Sequence, residues 1–295
     1  MGTKTMRFLI LICCIATWST RSHGCNPYFH TEMFNLSKQQ FIPINDGTGD
    51  FEDVGGISED QYNEVLDRIS DIYTPILEKR GLKLQIERLW EVNTVNAFAR
   101  REGNVRRLLM YGGYARHRLV DVDAFIALAC HEMGHHLGGT PHYTILGWEW
   151  CSAEGQADYF ATLSCTRRMM ANDDNEFIVT SIDVPDAVKN KCSQSHPTRN
   201  DEHICQRAAV AGYKMTQVWE NGAGEFTFDK TDPLVVTATK YQHPAGQCRI
   251  DTYLSGSTCH ADPVDALSDV DPTYGTCNSS TDHSEGLRPL CWYKP

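Results

Sequence analysis

Asp121-Val-Asp-Ala-Phe-Ile-Ala-Leu-Ala-Cys130-His131-Glu132-Met133-Gly134-His135-His136-Leu137-Gly138-Gly139 is the stretch on which the reading turns. Val122, Phe125, Ile126, Ala129 and Met133 recur at helical spacing, and Gly138-Gly139 supplies a stop. Inside this predicted helix, His131-Glu132-Met133-Gly134-His135 spells HExxH. Positions i and i+4 stack on one face, so both imidazoles can reach one metal ion. Glu132 lies one residue further round and can touch a water at the metal without ligating it.

Zinc in a catalytic site needs a third protein ligand and an open position for water. Two residues compete for that place. A metzincin-like HExxHxxGxxH would put it at residue 141, but that residue is Pro141 and His142 comes one place late. The other candidate is Glu154, in Ser152-Ala-Glu154-Gly-Gln-Ala-Asp158 at the start of a helix expected from a Ser152 cap to about Met170. Glu154 and Asp158 share a face at i, i+4 spacing. A carboxylate ligand with a second carboxylate one turn on is chemically sensible, because Asp158 could accept the spare N–H of a ligand imidazole.

Upstream, Ser58 precedes Glu59 and Asp60, and Tyr62, Val65, Leu66, Ile69, Tyr73, Ile76 and Leu77 recur at helical spacing before Gly81, with Pro75 a potential kink. Leu82, Leu84 and Ile86 alternate like a strand, and Val92–Ala99 and Val105–Tyr111 are two more strand candidates. A further helix is expected over Glu202–Trp219. Helix, strands, helices and then a tail is an α+β order rather than alternating βαβ.

The chain has 295 residues, 41% of them hydrophobic and 22% charged, which is ordinary globular composition. Its net charge of −11, with no Lys/Arg stripe, excludes nucleic acid as a partner. Lys4 and Arg7 followed by the apolar run Phe8–Trp18 read as an export signal, too short for a membrane span, which needs about 20 residues. The alternative is an uncleaved anchor. Ser22-His23-Gly24-Cys25 invites a lipoprotein anchor at Cys25, but serine replaces the leucine-like residue that signal needs. No other segment is apolar enough for a stable membrane span. Expected divisions are a signal at 1–24, a main domain at 25–240 and a disulfide-rich C-terminal segment at 241–295 packed on it. The location is therefore secreted or periplasmic.

Ten cysteines follow residue 24, at 25, 130, 151, 165, 192, 205, 248, 259, 277 and 291. An even number in an exported chain suggests disulfides, whose connectivity the sequence does not fix. No CxxC pair occurs, so a zinc finger is excluded. Cys130 reads as core or disulfide-bonded, and His136 as a partly exposed neighbour. Trp148 and Trp150 are candidates for the cleft wall or the core. Cys151 and Cys165 are too far apart to pair along one helix.

Together these motifs resemble the M48 family of gluzincin metallopeptidases, the group that includes the CAAX prenyl protease. Asn96-Ala97-Phe98-Ala99 resembles the family's NAF segment, and Leu108–Gly113 resembles its edge strand. HExxH and ExxxD follow in family order. His243-Pro-Ala-Gly-Gln-Cys-Arg249 resembles HPxxxxR, with His196-Pro197 as a rival that lacks the arginine. The likeness covers roughly residues 57–250, without the membrane helices of the integral members and with an added cysteine-rich tail. It implies a zincin-like α+β fold with a small mixed or antiparallel sheet. It also implies one zinc per chain on His131, His135 and Glu154, with Asp158 behind a ligand and Glu132 as general base. His243 and Arg249 are implied at the oxyanion, with Tyr159 and Tyr253 as alternatives. A peptide or unfolded protein substrate would lie extended along Val105–Tyr111, touching Asn96, Ala97, Leu109 and Tyr111.

Three functions fit these residues: an exported zinc endopeptidase, a zinc-containing binding or chaperone module of the same fold, and a zinc hydrolase of a non-peptide bond. Glu132 favours the first over the second, since binding alone needs no base.

Overall fold

The computed structural model describes residues 56–295, apart from Leu146, Gly147, Asn221 and Pro263, together with the backbone of His23–Gly24. Of residues 144–150 only backbone is described. The expected signal up to residue 22, residues 25–55 at the start of the expected main domain, with Cys25 among them, and the side chains of Trp148 and Trp150 lie outside the described residues.

Strand β1 is His23–Gly24, and helix α1 runs Glu59–Glu78. Ser58 caps α1 in a full capping box: its hydroxyl accepts from the Gln61 amide, while the Gln61 side chain accepts from the Ser58 amide. Pro75 does not shorten this helix. Next come β2 (Lys83–Leu89), β3 (Ala97–Glu102), β4 (Val105–Tyr111) and a single turn α2 (Gly112–Ala115). The sheet order is β1-β3-β4-β2, with β2 parallel to β4 and the other pairs antiparallel.

This order corrects one expectation. Val105–Tyr111 is not an edge: β4 is hydrogen-bonded to β3 on one side and to β2 on the other. Leu109 faces Phe98 across one ladder and Glu87 across the other, so β4 has no open backbone for a peptide. Among the described residues the outer strands are β1 and β2, and β1 is only two residues long. Only Arg100 and Arg101 of β3 pair with β1, and among the described residues no strand covers Ala97–Ala99 on the side away from β4.

Helix α3 (Val122–Leu137) is capped by Asp121, whose side chain accepts from the Ala124 amide. It is buried on all sides, from Asp123 to Leu137, as expected of a helix through the core. His136 is therefore buried rather than partly exposed; its Nε2 lies 3.2 Å from the Arg107 carbonyl. Arg101 on β3 donates to the His135 and His136 carbonyls, placing a cation on the C-terminal turn of α3.

A hairpin that the sequence did not reveal follows, β5 (His142–Ile145) and β6 (Trp148–Ser152). Cys151 lies on β6, not on the next helix. Helix α4 (Glu154–Phe160), a π-helical turn (Ala161–Cys165) and α5 (Thr166–Met170) run on consecutively. Ala153, not Ser152, is the N-cap. Ser152 is still strand, with its hydroxyl on the Gly139 carbonyl.

Two short helices, α6 (Asn175–Thr180) and α7 (Asp186–Ser195), precede the long α8 (Arg199–Trp219). The C-terminal segment is less loop-like than its composition suggests. It begins with α9 (Gly246–Thr258), and Tyr253 and Cys259 belong to the same core as α1, α3 and the inner face of the sheet. Among the described residues four disulfides join Cys130–Cys165, Cys192–Cys205, Cys248–Cys291 and Cys259–Cys277. No described helix is long and apolar enough to cross a membrane.

Candidate metal centre

Helices α3 and α4 meet where His131 and His135 face Glu154. A Cβ on Gly134 would come within 2.8 Å of the Ala157 Cα, so the two backbones touch one turn from the histidines. The rings of His131 and His135 stand edge to face, 4.7 Å apart between centroids. Glu154 Oε2 lies 3.3 Å from His131 Nε2, 3.4 Å from His135 Nε2 and 3.1 Å from His243 Nε2. Atoms offered by His131, Glu154 and His243 all lie within 4.8 Å of one another.

The far side of each α3 ring fixes what its near side can do. His135 Nδ1 lies 2.9 Å from the Ser152 carbonyl, which only accepts, so Nδ1 carries the proton. His131 Nδ1 lies 2.7 Å from Asp158 Oδ1. Asp158 also accepts two bonds from Arg249, through Nε at 2.9 Å and Nη2 at 2.7 Å, and one from the Tyr253 hydroxyl. Burial works against its ionisation, but Arg249 and His131 hold its carboxyl well below the usual carboxylate range. It stays charged and takes the His131 proton bond.

Both α3 imidazoles therefore turn a lone pair towards Glu154 when neutral. Burial also opposes ionisation of Glu154, yet His243, His135 and His131 hold it well below its ordinary value. Its Oε2 is buried with no hydrogen-bond partner. Two lone pairs and a carboxylate oxygen converging in a buried site repel one another unless a cation or a proton lies between them. The separations of Glu154 Oε2 from the imidazole nitrogens fit a cation: donors at about 2.0–2.1 Å from a tetrahedral zinc stand roughly 3.3 Å apart. The donor set of imidazole and carboxylate is one that zinc takes. The cluster can thus hold a metal ion.

Glu132 is buried on the adjoining face, and the backbone N–H of Ala99 on β3 donates to its carboxylate. Burial raises its pKa above the ordinary value, only partly offset by His131 and His135. Strand β3 therefore reaches the site directly. Asn96, just before it, is buried and accepts from the Ala97 amide; Ala97 turns its side chain into the core. Tyr111 packs edge-on against Phe98 at 6.0 Å, and Leu109 is buried on the central strand.

His243 enters on the segment ahead of α9, whose Tyr241 carbonyl accepts from the Glu154 amide at 3.0 Å. Burial pushes its pKa down to about 4, so it is neutral at pH 7. Arg249 is placed differently from the expectation that it faces an oxyanion. It lies behind Asp158, fully engaged with that carboxylate and Tyr253. Tyr253 points to the same carboxylate, and Tyr159 donates to the Gly286 carbonyl. His142 turns to the Asp269 carbonyl at 3.2 Å rather than joining the Glu154 cluster. His196 ends α7 and lies 2.7 Å from the Ser257 carbonyl.

The backbone carbonyl of Ser152 is the functional contact that sequence reasoning missed. No side-chain signal marks a carbonyl, and only the unforeseen β6 brings it beneath His135. Compared with known proteins, the chain matches no family model, no curated protein and no solved structure.

Proposed function

We propose that the chain is an exported zinc endopeptidase of the gluzincin type, with a zincin-like fold and a likeness to the M48 family carried by the motifs named above. The observation that carries this reading is the convergence of two imidazole lone pairs and the Glu154 carboxylate, with the buried Glu132 beside them.

His131, His135 and Glu154 would hold the ion. Zinc, when bound, brings a water towards ionisation near neutral pH and polarises a carbonyl. Glu132 accepts the proton of the attacking water and delivers it to the leaving amine. Its raised pKa suits both halves of that transfer. His243, neutral at pH 7, offers an N–H to the developing oxyanion when Nε2 carries its proton. Asp158, held by Arg249 and Tyr253, keeps His131 in the tautomer that ligates.

A peptide would add to β3 at Ala97–Ala99, where no described strand lies on the side away from β4 and where the strand also contacts Glu132. Pairing of that kind reads backbone more than side chains, so sequence preference would be broad and unfolded protein a suitable substrate. Four disulfides support export, because such bonds persist in oxidising compartments.

The test is metal analysis of the purified protein alongside hydrolysis of a casein-type substrate, with and without chelator. Glu132→Gln should keep the zinc and lose roughly 10²- to 10⁴-fold in rate. Hydrolysis that survives both the chelator and this substitution would refute the reading. Zinc bound without hydrolysis in the wild type would favour the binding module.

A further inference from the structure

Cys130 immediately precedes the first imidazole of the site, and it is joined to Cys165 at the end of the π-helical turn that follows α4. Cys130 therefore fixes α3 next to His131, and Cys165 fixes the helical run that begins with Glu154. The bond closes a loop with a sequence separation of 35, and His131, Glu132, His135, Glu154 and Asp158 all fall inside it. Both cysteines are completely buried. The same two helices are held again by the His131–Asp158 bond at 2.7 Å and by the Gly134–Ala157 backbone contact. The other three disulfides among the described residues lie elsewhere: Cys192–Cys205 joins α7 to α8, and the remaining two tie the C-terminal segment. The π-turn also has a place in this arrangement. Such turns interrupt α-helices mostly near functional sites, and this one ends on the bonded cysteine.

We propose that the Cys130–Cys165 bond is a positioning link for the metal centre. It holds the imidazole pair of α3 and the carboxylate of α4 at ligand separation before an ion arrives. The inference rests on reading the cluster as a metal site. Metal affinity is what remains after the ligands have been brought together. Without the cross-link, groups separated by 19 residues between His135 and Glu154 must be gathered by the remaining contacts, at an entropic cost the bond lowers. Because the sulfurs are buried, the link acts as permanent geometry and not as a surface switch.

The experiment compares zinc dissociation constants, by competition with a chromophoric chelator, for the wild type, Cys130→Ala/Cys165→Ala and Cys192→Ala/Cys205→Ala. The control pair also loses a buried disulfide but lies between helices that carry no ligand. Removing Cys130–Cys165 should weaken zinc binding by roughly 10- to 100-fold, as loss of outer supports of metal ligands does. Removing Cys192–Cys205 should change it by no more than about twofold. Cys130→Val/Cys165→Ala restores buried volume without the bond and should show the same loss of affinity, with helix content by circular dichroism unchanged.

Equal affinity in all variants overturns the proposal, as does an equal loss in both disulfide deletions. Failure of both Cys130 variants to fold also overturns it, since the bond would then act on the fold as a whole. A wild-type protein that binds no zinc refutes the metal reading itself, whereas zinc retained in every variant refutes only the link.

Discussion

Glu132 and Glu154 are buried side by side, yet their surroundings drive their ionisation in opposite directions. Burial raises Glu132, whereas the three imidazoles around Glu154 overcome burial and keep it charged. That separation suits the base and the ligand proposed for them. The sign of the pH dependence follows. A base must be deprotonated to work, so in the proposed mechanism kcat/KM should fall as pH drops through a value above the ordinary glutamate pKa of about 4.3. A pH profile in excess zinc, with metal content measured at each point, separates this limb from metal loss; a limb at or below the ordinary value refutes the assignment. Asp158 is the second residue whose change has a defined outcome. Asp158→Asn removes the charge that pairs with the buried Arg249 and orients His131. It should weaken zinc binding roughly 10- to 100-fold. It should also lower stability by about 3–5 kcal/mol, read by urea unfolding, because Arg249 is left buried without its partner. At this scale the meeting of His131 and His135 with Glu154 was legible, since HExxH and ExxxD are local spacings; the arrival of His243 in the same cluster was not read as that of a ligand. The direction of Arg249 was not legible, because its target lies 91 residues away in sequence and only α9 brings them together.

At the scale of elements, local signals marked α1 and α3, where a capping box or cap coincides with a helical apolar period. They failed for α9, whose Gly, Ser, Thr and Cys residues read as loop although the helix packs Tyr253 and Ile250 into two cores. Alternation also marked β4 as a strand but said nothing of its neighbours. The short turn after β3 makes the β3–β4 hairpin plain, whereas the placement of β2 on the far side of β4 is a tertiary choice. That choice makes β3, not β4, the strand at the cleft. The contact between α3 and α4 gives this scale its prediction. Gly134→Ala would set a methyl within 2.8 Å of both the Ala157 Cα and its carbonyl oxygen, neither of which can rotate away. The helices must part, at a cost of about 1–3 kcal/mol. Thermal unfolding should show the loss, and zinc affinity should fall with it because His131 and His135 move with Gly134. An unchanged affinity would mean that the two helices do not set the ligand separation.

Across the whole molecule, the C-terminal segment is a wall of the metal centre rather than an appendage. Arg288 donates to Gln156 Oε1, and Leu267 and Thr140 make backbone bonds that lace the tail to the turn after α3. Trp292 is fully buried, with its indole N–H on the Thr252 hydroxyl and its ring against Gly155, the residue after the ligand Glu154. A Cβ on Gly155 would lie 2.4 Å from that ring, so the indole seats directly on the backbone of α4. The Cys248–Cys291 bond holds the segment there by tying α9 to the residue before Trp292. The cysteine count made such stapling legible, but nothing in the tail's composition marked Trp292 as a support of α4. Trp292→Ala should therefore destabilise the whole chain by about 3–5 kcal/mol, the cost of deleting a buried indole. Because the segment shares its core with α3 and α8, unfolding should remain a single transition by both fluorescence and circular dichroism. Zinc should leave in that same transition. Two separate transitions, or zinc held through the first, would show a tail that folds on its own and does not support Glu154.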